Sequence, residues 1–512
     1  MARMNQRELI ACGPFFTNKY SMKKKFKFTL IFIAMLVSAF NIYAQTDADA
    51  FRYSGTNITG TARFTAMSGA FGALGGDFSS LSTNPAGIGI YRRSEITFTP
   101  SVFAGTSNST FLGNHSSESK FNFNFGNAGL IFTQKISKDE TSSGWKSWNF
   151  GFGYNRIDNY HNKTSYEGKN YNNSLLDYFA ENAGKKDYTQ LDEFYEYQAY
   201  KAYLINPDND TSLTQYIPAI TEYGETQRRT SETRGAKGET IFSFGGNYSN
   251  KLFLGATLGL SSLRYSEEAV YEEMTNSHVY DTLNNYRFTQ NVTTDGSGVN
   301  FKIGFIYKAN DNFRFGFAVH TPTWYTMHDE YKNTIKSSFI TGQSYSSESK
   351  DGSFDYEMTT PFKAIGSLGF VFGKMGLVGF DYEMTDYSSA RFSSSSASFF
   401  DTNQLIERKY IASHTFKVGT EWKFDNISFR GGMSYSTSPI NDNYKLSTSD
   451  YSKISYSGGI GIRDEDFSID LGYLYTQSNQ FFQPYTLALE NVPGVKQNIA
   501  SHNFTVTFGF RF

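Results

Sequence analysis

The last ten residues of the chain alternate strictly between apolar and polar side chains. The apolar positions are Phe504, Val506, Phe508, Phe510 and Phe512. Because successive side chains of a β-strand point to opposite faces, this pattern predicts a strand with one apolar face. Taken alone, such a strand fits the core of a secreted β-domain. It fits equally a transmembrane β-barrel with lipid outside and a polar lumen inside.

The same alternation recurs from residue 94 onward. In the stretch 312–320, for example, Phe313, Phe315 and Phe317 alternate with charged or small residues. An even number of about fourteen strands is typical of single-chain bacterial barrels. We therefore predict an all-β fold, an antiparallel transmembrane β-barrel. The predicted strands span 94–104, 121–134, 147–157, 239–249, 251–265, 297–308, 312–320, 354–372, 375–388, 405–424, 426–437, 451–463, 466–477 and 500–512.

Charged residues recur on the faces that oppose the aromatic side chains. In a dry protein core these charges would be costly, whereas a water-filled lumen hydrates them, and this favours a barrel over a sandwich. The residues predicted to face the lumen are Lys302, Arg314, Arg430, Arg463, Asp470 and Arg511.

The predicted connections alternate between long and short. Outer-membrane barrels have long extracellular loops and short periplasmic turns, and with an even number of strands this parity places both ends of the barrel in the periplasm. The longest connection, 158–238, is rich in tyrosine and is predicted to contain helix within 174–205. It is either a solvated cap or a capture surface for an apolar ligand. The other long connections span 105–120, 266–296, 321–353, 389–404, 438–450 and 478–499.

Composition narrows the class of protein further. The 512 residues carry a formal net charge of -2, which gives no reason to expect nucleic acid as a partner. The mean hydropathy of -0.46 is too polar for a bundle of membrane helices. Aromatic residues make up 17% of the chain, which fits amphipathic strands with aromatic belts at the membrane interfaces.

The N-terminus has the pattern of a secretory signal peptide. Four lysines between positions 23 and 27 precede the apolar stretch 28–40, and Ala44 offers a small residue at a cleavage point. We predict cleavage after Ala44, an upstream extension over 1–21, and translation that starts at Met22 rather than Met1. The only cysteine, Cys12, lies upstream of the cleavage point, so disulfide and zinc-thiolate sites are not expected in the mature chain.

The sequence contains no persuasive catalytic site. It has no H-E-x-x-H motif and no G-x-S-x-G elbow between a strand and a helix. Asp381 and Glu383 fit lumen charges better than a general acid and base. His320, His414 or His502 could in principle ligate haem, although a lone histidine on a strand is commonly just a polar side chain. We predict a protein that is not an enzyme and has no metal and no cofactor.

The stretch 45–93 differs in composition from the rest, because it is rich in glycine, alanine and serine and lacks alternation. It ends in the motif Asn84, Pro85, Ala86 and Gly87. With its glycine-rich lead-in before the first strand, this segment resembles the FadL/TodX-type family of outer-membrane transporters for long-chain fatty acids and aromatic hydrocarbons. The stretch 298–325 also looks like the middle hairpin of that family. Further matching residues are Arg63, Ser68, Gly69 and Asp77.

The resemblance implies that 45–93 forms a hatch that plugs the barrel 94–512. It implies passive passage of a hydrophobic small molecule, with a shift of the hatch and lateral escape through a gap in the wall. Pro85 fixes its own φ, Asn84 can bond its own backbone, and Gly87 and Gly89 allow close approach to the wall. We hypothesise that this turn anchors the hatch and helps keep the pore shut.

The expected partners are a hydrophobic small-molecule ligand, outer-membrane lipid, and the barrel-assembly machinery that recognises a C-terminal strand ending in Phe512. The expected location is the cell outer membrane, with both termini in the periplasm. Two other interpretations remain open. One is a hemin receptor on the same scaffold, and the other is a structural or adhesive barrel without transport.

Overall fold

The structure is a computed structural model that describes residues 45–136, 143–209, 212–220, 222–275, 282–445 and 451–512. Asp47–Phe512 forms one compact unit. The predicted signal peptide and upstream extension, 1–44, lie outside the described residues. No helix in the described ranges combines the length and the apolar character needed to cross a membrane.

Strands account for most of the described chain. They are β1 (Glu95–Phe111), β2 (Asn114–Lys135), β3 (Trp145–Asn159), β4 (Asn162–Asn170), β5 (Ile205–Asn209), β6 (Ser212–Pro218), β7 (Glu225–Tyr248), β8 (Leu252–Met274), β9 (Leu283–Lys308), β10 (Phe313–His320), β11 (Trp324–Phe339), β12 (Ser344–Glu348), β13 (Gly352–Thr359), β14 (Lys363–Phe372), β15 (Gly376–Asp386), β16 (Arg391–Ser393), β17 (Ala412–Phe424), β18 (Ile427–Ser436), β19 (Lys453–Arg463), β20 (Phe467–Phe482) and β21 (Val495–Arg511). The α-helices are α1 (Asp47–Ser54), α2 (Ala62–Ala66), α3 (Leu175–Ala183), α4 (Glu196–Lys201) and α5 (Phe400–Lys409). Short 3-10 helices span Phe78–Ser82, Pro85–Ile90, Tyr188–Gln190, Tyr387–Ser389 and Asp442–Tyr444.

Fourteen antiparallel strands close into a barrel in the order β1-β2-β3-β7-β8-β9-β10-β14-β15-β17-β18-β19-β20-β21. The last strand closes the barrel against the first, from Glu95 opposite Arg511 to Thr110 opposite Lys496. The predicted all-β barrel is therefore confirmed. The remaining sheet strands lie in connections. β4 pairs with β7, and β11, β12, β13 and β16 extend the sheet beyond the barrel wall.

The alternation in β21 separates the two faces of the wall. Phe504 and Phe510 are each 52% exposed on the outside, whereas Thr505 and Thr507 between them are buried on the inside. A wall with apolar side chains outside and polar side chains inside is the arrangement that a bilayer requires of a β-barrel.

Two predicted strands were wrong in their extent. The stretch 354–372 is two strands, because Pro361 has no N–H to donate and the chain turns at 360–362. β13 then pairs with β11 in a connection, whereas β14 pairs with β10 in the wall. The stretch 405–424 is also divided, since residues 400–409 form helix α5 and the strand begins only at Ala412.

Several predicted loops contain long stretches of strand. The stretch 105–120 continues β1 and β2 up to a turn at Leu112 and Gly113, and 266–296 continues β8 and β9. The long connection is shorter than the predicted 158–238, because residues 225–238 belong to β7. The extensions have no continuous apolar face, so the sequence does not predict them as membrane strands. Their backbones nevertheless continue the hydrogen-bond ladders of the barrel strands.

The connections define two ends of the barrel. Short turns at 249–251, 309–312, 373–375, 425–426 and 464–466 lie at one end, which we call the turn end; the longer connections lie at the opposite, loop end. β1 begins and β21 ends at the turn end. The sequence predicts that the N-terminal segment also lies at the turn end, but helix α1 lies at the loop end. Its Asp47 bonds Lys409 and Tyr410 at the loop end.

Candidate functional site

The segment 47–93, most of the predicted hatch, runs through the lumen from the loop end to the turn end. At the loop end, the Tyr53 hydroxyl lies 3.1 Å from Thr294 Oγ1. At the turn end, the Arg93 guanidinium donates to the Glu465 carbonyl oxygen at 3.1 Å. Helix α2, the 3-10 helices Phe78–Ser82 and Pro85–Ile90, and the turns between them lie between these points. They fill the half of the lumen nearer the turn end, which we call the lower lumen, and contact strands on several sides of the wall. We call residues 60–91 the hatch floor.

A belt of wall glycines lets the backbone of the hatch floor approach the strands directly. A Cβ added at Gly255 would lie 2.2 Å from the Pro85 carbonyl oxygen, and one at Gly304 would lie 2.2 Å from Asn84 Oδ1. Several of these glycines are cross-strand neighbours, such as Gly255 with Gly304. The belt also includes Gly316, Gly379, Gly419, Gly432, Gly459 and Gly472. Only glycine permits contact this close with the backbone of the floor and with the Asn84 side chain, so the wall is fitted to this segment.

The motif at Asn84 forms the turn by which the floor meets the wall. Asn84 Oδ1 accepts a hydrogen bond from the Ala86 N–H at 3.1 Å and so caps the 3-10 helix that Pro85 begins. Asn84 Nδ2 donates to the carbonyl oxygens of Gly72, at 2.6 Å, and Phe305, at 3.1 Å. One side chain thus joins two parts of the floor to β9.

The two glycines of this turn have different surroundings. A Cβ at Gly89 would lie 2.6 Å from the Gly246 carbonyl oxygen of the wall, which agrees with the close approach expected from the sequence. A Cβ at Gly87 would instead meet Ser80 Oγ at 2.8 Å, inside the hatch floor. Gly87 therefore permits packing within the hatch and not against the wall.

Buried ion pairs tie the floor to the opposite side of the barrel. The Arg63 guanidinium makes two hydrogen bonds to the Glu421 carboxylate, at 2.7 and 2.9 Å. Glu421 also accepts from Arg430 Nε at 2.5 Å, and Arg430 Nη1 donates to Asp470 Oδ1 at 2.7 Å. Buried charges are tolerated when they are paired and hydrogen-bonded in this way. Two of the predicted lumen residues, Arg430 and Asp470, thus belong to one network that holds the hatch.

The other predicted lumen residues lie at three levels of the inner wall. Lys302, midway up, forms an ion pair with Glu239. Lower down, Arg314 Nη1 lies 3.4 Å from the Leu74 carbonyl oxygen of the hatch floor. Arg463 is on the inward face of β19, in phase with Gly459, which contacts the hatch. Arg511 Nε bonds Glu95 at 2.8 Å at the turn end.

The carboxylates and histidines considered in the sequence have structural partners. The Asp381 carboxylate accepts hydrogen bonds from the Gly72 N–H at 3.0 and 3.2 Å. His320 bonds the Thr83 carbonyl oxygen at 2.8 Å. His414 and His502 each bond a neighbouring tyrosine hydroxyl. Among the described residues, no group of histidine, cysteine, aspartate or glutamate side chains could hold a metal ion.

A cavity of about 200 Å³ lies in the lumen between α1 and the hatch floor. Phe51 and Ser54 of α1 line it on one side, and Ser79 and Thr83 of the floor line it on the other. Its walls are side chains from eleven of the fourteen barrel strands, and most of these are hydroxyl-bearing or charged. Concave spaces within β-barrels are common places for small-molecule sites.

The barrel wall has a seam between β2 and β3. These strands pair only from Asn127 opposite Asn155 down to Lys135 opposite Ser147. Above Asn127, β2 pairs with β1 alone, and the part of β3 above Asn155 pairs with β7 alone. The seam opens at a bulge, because β1 and β2 shift register between Thr99 and Pro100 and leave Gly126 without a Cα partner.

Side chains bridge the seam where the backbone ladder is missing. Arg156 Nε donates to the Phe125 carbonyl oxygen at 3.2 Å, and Asn159 Nδ2 lies 3.4 Å from Asn122 Oδ1. Nearer the loop end, Lys120 Nζ bonds Glu232 at 2.6 Å. On the outer surface beside the seam, three phenylalanines of β2 are 48 to 68% exposed, and these are Phe121, Phe123 and Phe125.

The hatch covers the seam from inside. The Asn57 N–H donates to the Ile157 carbonyl oxygen at 3.1 Å, and the Thr59 hydroxyl donates to the Arg156 carbonyl oxygen. The hatch thus bonds carbonyl groups of β3 above the point where β2 separates from it. Residues 57–59 line both the central cavity and a second cavity of about 40 Å³ next to the seam.

The connection between β3 and β7 forms a cap at the loop end. Helix α3 buries Leu176 and Phe179 in a cluster of buried apolar side chains that also includes Phe111 and Tyr485. The backbone N–H of its N-cap residue, Ser174, donates a hydrogen bond to the Asp177 carboxylate at 2.8 Å. Burial raises the pKa of the Asp177 carboxyl despite this bond. The expected helix is therefore present, and it belongs to a packed cap.

Sequence reasoning missed the glycine belt, the cavity lysines other than Lys302, and the seam. One signal for the seam is present in the sequence. The outward phenylalanines of β2 occupy odd positions up to Phe125, and the outward side chains then change to even positions at Ala128 and Phe132. Such a change of phase indicates a bulge.

Comparison with known proteins agrees with this architecture. A family model described as outer membrane protein transport protein (OMPP1/FadL/TodX) matches residues 39–512. The toluene transporter TodX of P. putida is similar in structure, with a TM-score of 0.52 and 16% identity, over 89% of this chain and 99% of TodX. A FadL homologue of Pseudomonas aeruginosa has a TM-score of 0.53 and 13% identity, over 89% of this chain and 99% of the homologue. Comparison with curated proteins found no match.

At these identities the solved structures establish the fold, and the family model covers most of the chain. The match also bears out the expectation that the protein is not an enzyme, because the family consists of transport proteins. A closed fourteen-stranded barrel, a segment threaded through its lumen and a family match over 39–512 lead to one assignment. The chain belongs to the OMPP1/FadL/TodX family of outer membrane transport proteins.

Proposed function

We propose that the protein passes a hydrophobic small molecule, long-chain fatty acid-like or aromatic, from the loop end into the outer membrane by passive diffusion through the seam. The loop end then faces the outside, and the terminal strand with Phe512 ends in the periplasm. Outer-membrane lipid contacts the apolar wall, and the barrel-assembly machinery recognises the terminal strand. TodX, to which the chain is similar in structure, is a toluene transporter, and this supports a hydrophobic ligand.

The observation that carries the proposal is the seam between β2 and β3. All neighbouring barrel strands are joined by a backbone ladder, but within the described ranges the ladder between β2 and β3 is the one that stops partway along both of its strands, at Asn127 and Asn155. Side-chain bonds and three exposed phenylalanines replace it. Side-chain bonds can open without breaking the sheet, and the phenylalanines give an apolar molecule a surface continuous with lipid.

The hatch residues Asn57 and Thr59 couple this exit to the lumen. They separate the central cavity from the cavity next to the seam. Displacing them would break their bonds to Ile157 and Arg156 and connect the two cavities. We therefore propose a hatch that gates the lateral exit rather than a pore that runs straight to the periplasm.

The test is uptake after the seam has been locked. Asn122→Cys combined with Asn159→Cys places two thiols across the seam, and the mature sequence contributes no other cysteine. The pair is joined by oxidation or by a short bifunctional thiol reagent. The matched control is Asn479→Cys with Asn498→Cys, which lie opposite each other on the intact ladder between β20 and β21.

Uptake of labelled long-chain fatty acid and of toluene is measured in cells that lack the protein and in cells that carry each variant. We expect protein-dependent uptake that falls when the seam is joined, returns on reduction, and is unaffected by the control pair. Unchanged uptake with a fully joined seam would exclude the lateral exit. Haem is tested in parallel, and uptake of haem alone would favour the hemin receptor instead.

A further inference from the structure

The lining of the central cavity is unusually polar for a hydrocarbon channel. Of the forty described residues that line it, eighteen are serine or threonine. The branched aliphatic side chains among them are three isoleucines. Sites for apolar ligands are lined mainly by hydrophobic and aromatic side chains, with few polar groups. This cavity has the opposite balance.

The cavity also carries an excess of positive charge. Two acidic side chains, Glu239 and Glu383, line it, whereas six basic ones do. Lys363 and Lys417 share the single carboxylate of Glu383, at 2.6 and 2.9 Å. The basic residues are Arg156, Lys237, Lys302, Lys363, Lys417 and Lys453.

Two further carboxylates lie close to the lining without cancelling the excess. Asp158 accepts a hydrogen bond from the side chain of Asn57, and Asp381 accepts from the Gly72 N–H. Both therefore bond the hatch. Counting them still leaves the basic groups in the majority.

Two ammonium groups lack a carboxylate partner. Lys237 donates to the carbonyl oxygens of Tyr53, in the last turn of α1, and of Gly55, which follows the helix. Lys453 Nζ is 3.4 Å from Asn57 Oδ1. Within the described ranges, neither nitrogen lies within 4.0 Å of a carboxylate oxygen. Lys453 therefore has donors left for an anion in the cavity.

We propose that the central cavity is a binding site for a small hydroxylated organic anion. The anionic group would be held by Lys453 and Lys363, because charge-assisted hydrogen bonds to ammonium groups are stronger than neutral ones. The serine and threonine hydroxyls can both donate to and accept from hydroxyl groups of the ligand. Phe51 and Tyr387, which contact each other at the cavity, offer faces for a ring.

This inference goes beyond the proposed function, because it concerns what the lumen retains and does not depend on where the molecule leaves. Binding to the purified barrel in detergent therefore tests it separately from uptake. The probe is 3,4,5-trihydroxybenzoate, and 3,4,5-trihydroxybenzamide serves as the neutral analogue of the same shape. Affinity is measured by isothermal titration calorimetry.

The variants are chosen to separate charge from folding. Lys453→Gln and Lys363→Gln each remove one ammonium group from the cavity, whereas Lys453→Arg keeps the charge. Lys423→Gln is the control, because it removes an exposed lysine of β17 near the turn end that does not line the cavity. Correct folding of each variant is checked by the shift in gel mobility on heating, which folded barrels show and unfolded chains do not.

We expect the acid to bind the wild type and the Lys423→Gln variant alike. Binding should weaken about tenfold or more in Lys453→Gln and Lys363→Gln, as for other hydrogen bonds to charged groups, and should be retained in Lys453→Arg. The amide should bind at least tenfold more weakly than the acid. Equal binding of acid and amide, absence of binding of the acid, or unchanged binding in both glutamine variants would each overturn the proposal.

Discussion

Replacing Gly255 by alanine should loosen the hatch without altering the barrel. The added Cβ would lie 2.2 Å from the Pro85 carbonyl oxygen and 2.7 Å from the Ala86 nitrogen. Since non-bonded heavy atoms rest about 3.5 Å apart, one side must move by about 1.3 Å. β8 is held by ladders on both sides, so the turn of the hatch moves. Overpacking of this kind costs about 1–3 kcal/mol.

This free-energy cost should shift the equilibrium of the hatch towards its displaced state. Because every 1.4 kcal/mol is about tenfold, the ratio of displaced to seated hatch should rise about 5- to 150-fold. The rise is measured by single-channel conductance in planar lipid bilayers, where the channel should open more often. Gly366→Ala is the matched control, since a Cβ at Gly366 meets nothing within 4 Å. If Gly255→Ala folds but conducts like this control, the idea that the floor rests on the glycine belt is wrong.

Three further changes probe the turn, the ion pairs and the cap. Asn84→Ala with Pro85→Ala removes the cap and the fixed φ of the turn, so conductance and uptake should both change; unchanged values for both would reject the anchoring role. Arg63→Ala removes one of the guanidinium partners of Glu421 and should destabilise the seated hatch by about 3–5 kcal/mol. Protease should then cut the hatch before the barrel unfolds, and equal protection of the hatch in the variant and the wild type would contradict this. Leu176→Ala, at a fully buried site in the cap, should cost about 2–5 kcal/mol and speed hydrogen exchange in the cap while the wall stays protected; an unchanged cap would show that this packing does not hold it.

The polar cavity and the apolar seam fit one molecule if the ligand is amphipathic. Its ionised, hydroxylated part would occupy the cavity beside Lys453, and its apolar part would follow the phenylalanines of β2 into lipid. The two proposals fail independently. A locked seam that still transports would remove the exit, and a neutral analogue that binds equally well would remove the anion site.

The sequence alone determined which way the side chains of the wall point. Alternation is a local property of an extended chain, so β21 and β10 could be predicted as amphipathic strands without knowledge of their neighbours. The turn at Asn84 was accessible for the same reason, because proline and asparagine act on their own backbone. The polar extensions of β1 and β2 beyond residue 104 were missed because no lipid face marks them, and their pairing is set by the hairpin.

Tertiary structure decided everything that depends on which residues meet. The break in 354–372 follows from two different pairing partners, β11 and β10, for two halves that each alternate. Gly255 reads as an ordinary strand glycine until Pro85 is placed against it. The cavity brings Lys237 and Lys453 to one site, although they are more than two hundred residues apart in the sequence. The seam exists because the ladder between β2 and β3 stops at Asn127. The face to which each side chain of a strand points is set by the local sequence, whereas the register of the strands and the closure of the barrel depend on which distant strands pair around the hatch.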